Sequence, residues 1–177
     1  MGCNLGKKAL TGGAEGDPEA DKKVLFLGLD NAGKSTLLFQ MRDQSFKETV
    51  PTVGLNVEQI KYKNDNFTLW DVSGQATRLW KHYFDKIHAV IFVIDSGDSE
   101  RLAKAKTLLH RCFSDKDLAA APILIFANKQ DLNEKMSSDE IYDRLEITNV
   151  LASGTKSNIL YQTCSAKTGD GVWEGIQ

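Results

Sequence analysis

The stretch that most limits what this chain can become is Gly28-Leu29-Asp30-Asn31-Ala32-Gly33-Lys34-Ser35, with Thr36 after it. It meets every fixed position of G-x-x-x-x-G-K-[ST]. The apolar run Val24-Leu25-Phe26-Leu27 before it reads as a buried strand, and residues 36–42 read as a helix. A loop in that setting turns successive backbone N–H groups inward as an anion nest. The helix N-terminus adds partial positive charge. Gly28 and Gly33 permit backbone angles that a side chain resists. Lys34 is then placed to reach β- and γ-phosphates, and the Ser35 hydroxyl to bind Mg²⁺. The loop specifies a nucleoside triphosphate without choosing its base or its reaction.

A length of 177 residues with 41% hydrophobic residues suits one α/β domain with a real core. A formal charge of −2 gives no electrostatic reason to expect nucleic acid. Cys3, Cys112 and Cys164 are widely spaced and odd in number, which argues against a disulfide framework and for a reducing compartment. No apolar run approaches the roughly 18 residues of a membrane span, and no secretory signal is evident at the N-terminus. Residues 1–23 read as an appendage, with a small, polar linker over residues 11–18, and residues 24–177 as the domain. Gly2 behind the initiator Met is a myristate acceptor position, a partial match because Gly6 replaces the usual Ser or Thr. Cys3 beside it is a candidate for a second acyl chain, and two chains anchor where one holds only marginally.

Residues 47–54 hold Pro51 and Gly54 and read as a loop. A threonine there can offer Mg²⁺ a second hydroxyl: Thr52 is the choice and Thr49 the competitor. Residues 55–62 and 67–71 alternate apolar and polar, and the turn formers between them predict a hairpin. It leads into Asp71-Val72-Ser73-Gly74-Gln75. There Asp71 is placed to hold Mg²⁺ through water, the Gly74 N–H to bond the γ-phosphate, and Gln75 to orient an attacking water. Loops ordered by a γ-phosphate and released on its loss make a switch.

Residues 89–95 and 122–127 are near-continuous apolar runs, as in parallel strands covered on both faces. Residues 100–113 predict a helix with Cys112 on its core side. The second run ends in Asn128-Lys129-Gln130-Asp131, where the base is chosen. A carboxylate at Asp131 accepts from guanine N1–H and its exocyclic amine; adenine lacks both donors on that edge. Asn128 braces the loop and base, and the Lys129 stem can lie along the ring. Ser137 and Glu140 are placed as a capping box. Residues 159–164 read as the last strand, with Cys164 in the core. A backbone N–H within Ser165-Ala166-Lys167 can meet the guanine carbonyl. The helix opening at Val172 is short.

With these residues in view the chain resembles the ADP-ribosylation factor (Arf and Arf-like) family of Ras-superfamily small GTPases. The likeness runs from about Val24 onward, on residues 28–36, Pro51-Thr52-Val53-Gly54, Trp70-Asp71, Asn128-Lys129-Gln130-Asp131 and the N-terminal Gly2. It implies a P-loop G domain: a six-stranded, mostly parallel sheet with one antiparallel strand and helices on both faces. It implies slow GTP hydrolysis, with Gln75 and Lys34 catalytic, GTP or GDP as ligand and Mg²⁺ as cofactor. It also implies exchange factors, GTPase-activating proteins that supply an arginine, effector or coat proteins, and a cytoplasmic protein that sits peripherally on membranes, Golgi or cilium, when GTP-bound; a monomer is the default for a domain of this size. The hairpin is implied to slide along the sheet when GTP binds. Ser73 stands where Arf proteins usually carry glycine, and in this the chain is similar to the Arf-like branch of the Bardet–Biedl ciliary pathway. Between Gln75 and Trp80 it is about two residues shorter than the family's usual spacing. That departure leaves a second reading open, a GTP-binding scaffold that hardly hydrolyses. The N-terminal segment lacks a bulky apolar face, so lipid would carry the anchoring.

Overall fold

The computed structural model describes residues 21–176. Gly2 and Cys3 lie outside the described residues. The strands are β1 (Lys22–Gly28), β2 (Leu55–Tyr62), β3 (Asp65–Val72), β4 (Ala89–Asp95), β5 (Ile123–Asn128) and β6 (Ile159–Thr163). The helices are α1 (Lys34–Asp43), α2 (Leu102–Ser114), α3 (Ser138–Arg144), α4 (Ile147–Ala152) and α5 (Val172–Ile176), with 3₁₀ turns at Thr77–Tyr83 and Lys116–Leu118. β1 starts at Lys22, so folded structure begins slightly before the boundary expected at residue 24.

The six strands form one sheet in the order β2-β3-β1-β4-β5-β6. Only β2 runs antiparallel to its neighbour, pairing Leu55 with Val72 through Tyr62 with Asp65. β4 is buried along six of its seven residues and β5 throughout, the result of Val, Ile, Leu and Phe covered on both faces. Alternation along β1 divides the core. Leu25 and Leu27 face a cluster with Phe92, Leu109 and Ile125 under α2. Phe26 faces Leu37, Leu38, Ile91 and Phe126 under α1 and α5. At the far end of the hairpin, Tyr62 stacks on Trp173 of α5 with ring centroids 4.3 Å apart. Cys112 and Cys164 are buried as expected, and burial pushes the Cys112 thiol up to about 12.

The capping box at α3 is half formed. Ser137 Oγ accepts the Glu140 N–H at 3.1 Å, but the Glu140 carboxylate turns to Arg144 at 3.2 Å. α4 had no sequence forecast. It is entered through Glu146 in a left-handed conformation (φ 56°), a turn that glycine or asparagine would have signalled.

Parallel strands put their carboxyl ends on one edge of the sheet. The loops after β1, β3, β4, β5 and β6 therefore meet there, as in other open α/β sheets that bind ligands at that edge.

Candidate nucleotide site

α1 begins at Lys34 behind Gly33 (φ 99°), with no side-chain cap. The helix's first amides are left free for an anion. A side chain at Gly33 could not be housed: its Cβ would lie 2.3 Å from Asn128 Nδ2. Lys34 is 6% exposed. Its Nζ donates to the carbonyls of Gly28 at 3.1 Å and Leu29 at 2.9 Å. Burial pulls its pKa down, opposed by the charges of Asp71 and Asp30. A phosphate oxygen is a stronger acceptor for this ammonium than either carbonyl. The Leu29 side chain is directed into the core, so Leu29 serves the loop through its backbone.

The three residues expected around Mg²⁺ come together. Ser35 Oγ donates to Asp71 Oδ2, and Thr52 Oγ1 donates to the same oxygen at 3.0 Å. The two hydroxyls lie 2.7 Å apart. The competitor, Thr49, instead lies 3.2 Å from the Thr36 hydroxyl. Asp71 is fully buried, and its Oδ1 has no hydrogen-bond partner. Burial raises its pKa, against the hydrogen bond from Ser35, the charge of Lys34 and the hydrogen bond from Thr52. A buried carboxylate with one orphaned oxygen is a costly arrangement that a cation satisfies. One carboxylate and two hydroxyls, completed by waters and phosphate oxygens, is the donor set Mg²⁺ takes in nucleotide sites. No group of three or more His, Cys, Asp or Glu placed to hold a metal ion occurs among the described residues.

The loop after β3 closes over this cluster. The Ser73 N–H donates to the Gly54 carbonyl at 2.9 Å, joining it to the Thr52 loop. Gly74 lies directly against the phosphate loop, and a Cβ there would come within 2.2 Å of the Asp30 nitrogen. The Ser73 hydroxyl accepts the Gln75 N–H at 3.3 Å, and the Ser73 carbonyl accepts from Trp80 Nε1 at 3.1 Å. Buried Trp80, edge-on to Phe92, anchors the segment after Gln75 as a 3₁₀ turn. Gln75 is exposed at the rim of a cavity of about 110 Å³ that Lys34, Ser35, Thr52, Gly74 and Lys129 also line.

The base loop is fastened to the phosphate loop. Asn128 is 1% exposed; its Nδ2 donates to the Ala32 carbonyl at 2.9 Å, and its Oδ1 accepts the Ala166 N–H at 2.9 Å. The Asp131 carboxylate is exposed and is oriented by the buried Ser165 hydroxyl, which donates to Oδ1 at 2.7 Å. Lys129 (φ 65°) is held by Asp95 at 2.6 Å. Of the three amides expected to meet guanine, that of Ser165 is taken by the Asp170 carbonyl at 2.9 Å and that of Ala166 by Asn128. A guanine carbonyl would therefore share the Ala166 N–H or take that of Lys167, whose side chain is exposed. Sequence reasoning missed Arg101 altogether. Its Nη1 lies 3.0 Å from Asp30 Oδ1, a contact across 71 positions that no local pattern announces.

Two comparisons bear on this geometry. The model of the ADP-ribosylation factor family matches residues 14–177. Among solved structures, the Arl6 BBS3 small GTPase from Trypanosoma brucei with bound nucleotide analogue GppNp is 32% identical, with a TM-score of 0.78 over 88% of this chain and 93% of that one. A family match over almost the whole length, on a fold whose two nucleotide loops are physically tied together, establishes that the chain belongs to the ADP-ribosylation factor (Arf) family.

Proposed function

We propose that this protein is a GTP-binding, GTP-hydrolysing switch of the Arf-like type. The observation that carries the reading is the hydrogen-bonded cluster of Ser35, Thr52 and Asp71 beside Lys34. It joins the phosphate loop to both loops that a γ-phosphate would order. Asp131, set by Ser165, selects guanine over adenine.

The chain's own groups then divide the work. The free amides of the loop and the Lys34 ammonium bind the phosphates and take up charge as the bond to the γ-phosphorus breaks. Mg²⁺, when held by Ser35 and Thr52 with Asp71 behind them, supplies positive charge against phosphate oxygens. Gly74 brings its amide to the end of the phosphate loop. Gln75, steadied at its own N–H by Ser73, orients the attacking water. Affinities for GDP, GTP and ATP test the binding reading: guanine nucleotides are expected to win by about 10³-fold or more. Comparable affinity for ATP would overturn it.

The exposed Gln75 on a loop shortened by about two residues favours one alternative, a GTP-bound scaffold with little hydrolysis. Gln75→Leu decides between them. A switch should lose about a hundredfold in single-turnover phosphate release in the presence of an activating protein. A scaffold should show the same slow rate with and without the substitution.

Exchange factors, GTPase-activating proteins and effectors are the regulators such a switch requires. Ser73 and the likeness to a structure named Arl6 BBS3 support a place in ciliary traffic. Gly2 and Cys3 supply candidate acyl sites for a membrane-bound form. Labelling with a myristate analogue checks the first of these, and failure to label would remove it.

A further inference from the structure

Asp30 stands in the phosphate loop with its carboxylate one-third exposed. Its residue is a wall shared by two spaces. On one side is the cavity lined by Lys34, Gly74 and Gln75. On the other is a small groove lined by Asp98, Arg101 and Leu102. Its backbone nitrogen is the atom that Gly74 approaches, so Asp30 lies at the part of the loop that the switch loop covers. A carboxylate there is an awkward neighbour for a triphosphate. Like charges a few ångström apart repel strongly where water is partly excluded.

Arg101, at the start of α2, answers this charge. Its Nη1 lies 3.0 Å from Asp30 Oδ1, and its Nη2 donates to the Asp30 carbonyl at 3.2 Å. The guanidinium is itself held. Nε pairs with Asp98 Oδ2 at 2.5 Å, and the Arg101 N–H donates to Asp98 Oδ1 at 3.0 Å. The planar fork thus grips one side chain and one carbonyl of the same loop residue, a geometry an ammonium does not reproduce. Neither Arg101 nor Asp98 lines the phosphate cavity.

We infer that Arg101 is a positioning residue for the γ-phosphate end of the nucleotide. It draws the Asp30 carboxylate toward α2 and neutralises it, so that the loop accepts a third phosphate. The inference rests on the GTP reading above and adds to it a determinant of GTP over GDP preference that acts through Asp30. A diphosphate places less charge near Asp30 and depends on this grip less.

The test is a cycle of four proteins: wild type, Arg101→Gln, Asp30→Asn and the double variant. Dissociation of labelled GDP and GTP is measured with Mg²⁺ present. Arg101→Gln is expected to speed GTP release about tenfold, and GDP release about twofold or less. In the Asp30→Asn background, with the carboxylate gone, the same substitution should leave the GTP-to-GDP ratio unchanged. Arg101→Lys should restore part of the preference, because it returns charge without the fork. Raised salt should narrow the gap for Arg101→Gln, since the exposed part of the repulsion is screened. Equal acceleration of both nucleotides would make Arg101 merely structural and overturn the inference. So would a GTP-selective loss that persists beside Asp30→Asn, which would mean Arg101 acts on the phosphate directly. Failure of the wild type to prefer guanine nucleotides over ATP sinks the functional reading itself. Guanine binding with an unselective Arg101→Gln variant sinks only this inference.

Discussion

Replacing Asp131 with alanine is expected to weaken GDP and GTP binding by about 10²–10⁴-fold while leaving the domain folded. The carboxylate is exposed, and its partner, the Ser165 hydroxyl, still accepts the Thr168 N–H at 3.2 Å. The fold therefore loses little. The ligand loses two charge-assisted hydrogen bonds, from N1–H and the exocyclic amine, each contributing about 1.5–3 kcal/mol. About 3–6 kcal/mol converts to the stated range at tenfold per 1.4 kcal/mol. Asp131→Asn supplies the control. Its amide offers a donor where guanine also presents one, so guanine stays disfavoured. Xanthine carries a carbonyl at that position and should bind this variant better than guanine does. Isothermal titration with the two bases separates loss of recognition from loss of structure. Guanine affinity within a factor of three of wild type in Asp131→Ala would remove Asp131 from the site, and base selection would have to be sought elsewhere.

What could be read without coordinates follows a physical pattern. Elements whose signal is local were legible. The apolar run of β4 spans Ala89–Asp95 in the structure, as the sequence predicts. Lys34 and Ser35 were placed by a motif in which the backbone itself does the binding. Ser35 and Asp71 were legible because each lies near the carboxyl end of a strand of clear period, and parallel topology sends those ends to one edge; Thr52 reaches it because antiparallel β2 starts where β3 ends. What stayed hidden depends on contacts between distant segments. Arg101 looks like any helix-start cation until α2 is set beside the phosphate loop. Lys156 is 3% exposed and donates to the carbonyls of Leu118 and Ala119 at 2.6 and 2.8 Å, yet nothing in its neighbourhood distinguishes it from a surface lysine. Ser73 could be flagged only as a departure from glycine. The structure gives its hydroxyl and its carbonyl separate partners, in Gln75 and Trp80. The 3₁₀ turn at Thr77–Tyr83 has too short a period signal to read, and it is buried Trp80 that fixes it.

The second large effect comes from Lys34, and its two halves have opposite signs. In Lys34→Met the ligand loses an ammonium able to bond two phosphates, about 3–6 kcal/mol, so nucleotide affinity should fall about 10²–10⁴-fold. The nucleotide-free fold should not suffer in step. Lys34 is buried against carbonyls, and burial lowers its pKa from 10.5. The folded state therefore gives up this proton before the unfolded chain does. Stability from the group is fullest above 10.5 and is lost as pH falls through the lowered value, so at neutral pH the charged side chain is a cost. Methionine removes that cost and keeps much of the volume. The gain is limited because Asp71 loses a stabilising positive neighbour and takes up a proton more readily. Stability of the nucleotide-free variant at pH 7 should thus lie within about 1 kcal/mol of wild type or above it. Thermal unfolding with and without GDP reads both halves at once. At a hundred times the wild-type Kd, ligand adds about 2.7 kcal/mol, or about 5–10 °C for a domain of this size. The same concentration should add about 0.4 kcal/mol or less to Lys34→Met. A variant that melts well below wild type without nucleotide would show Lys34 to be part of the fold's own support. The buried ammonium would then not be a charge held ready for phosphate.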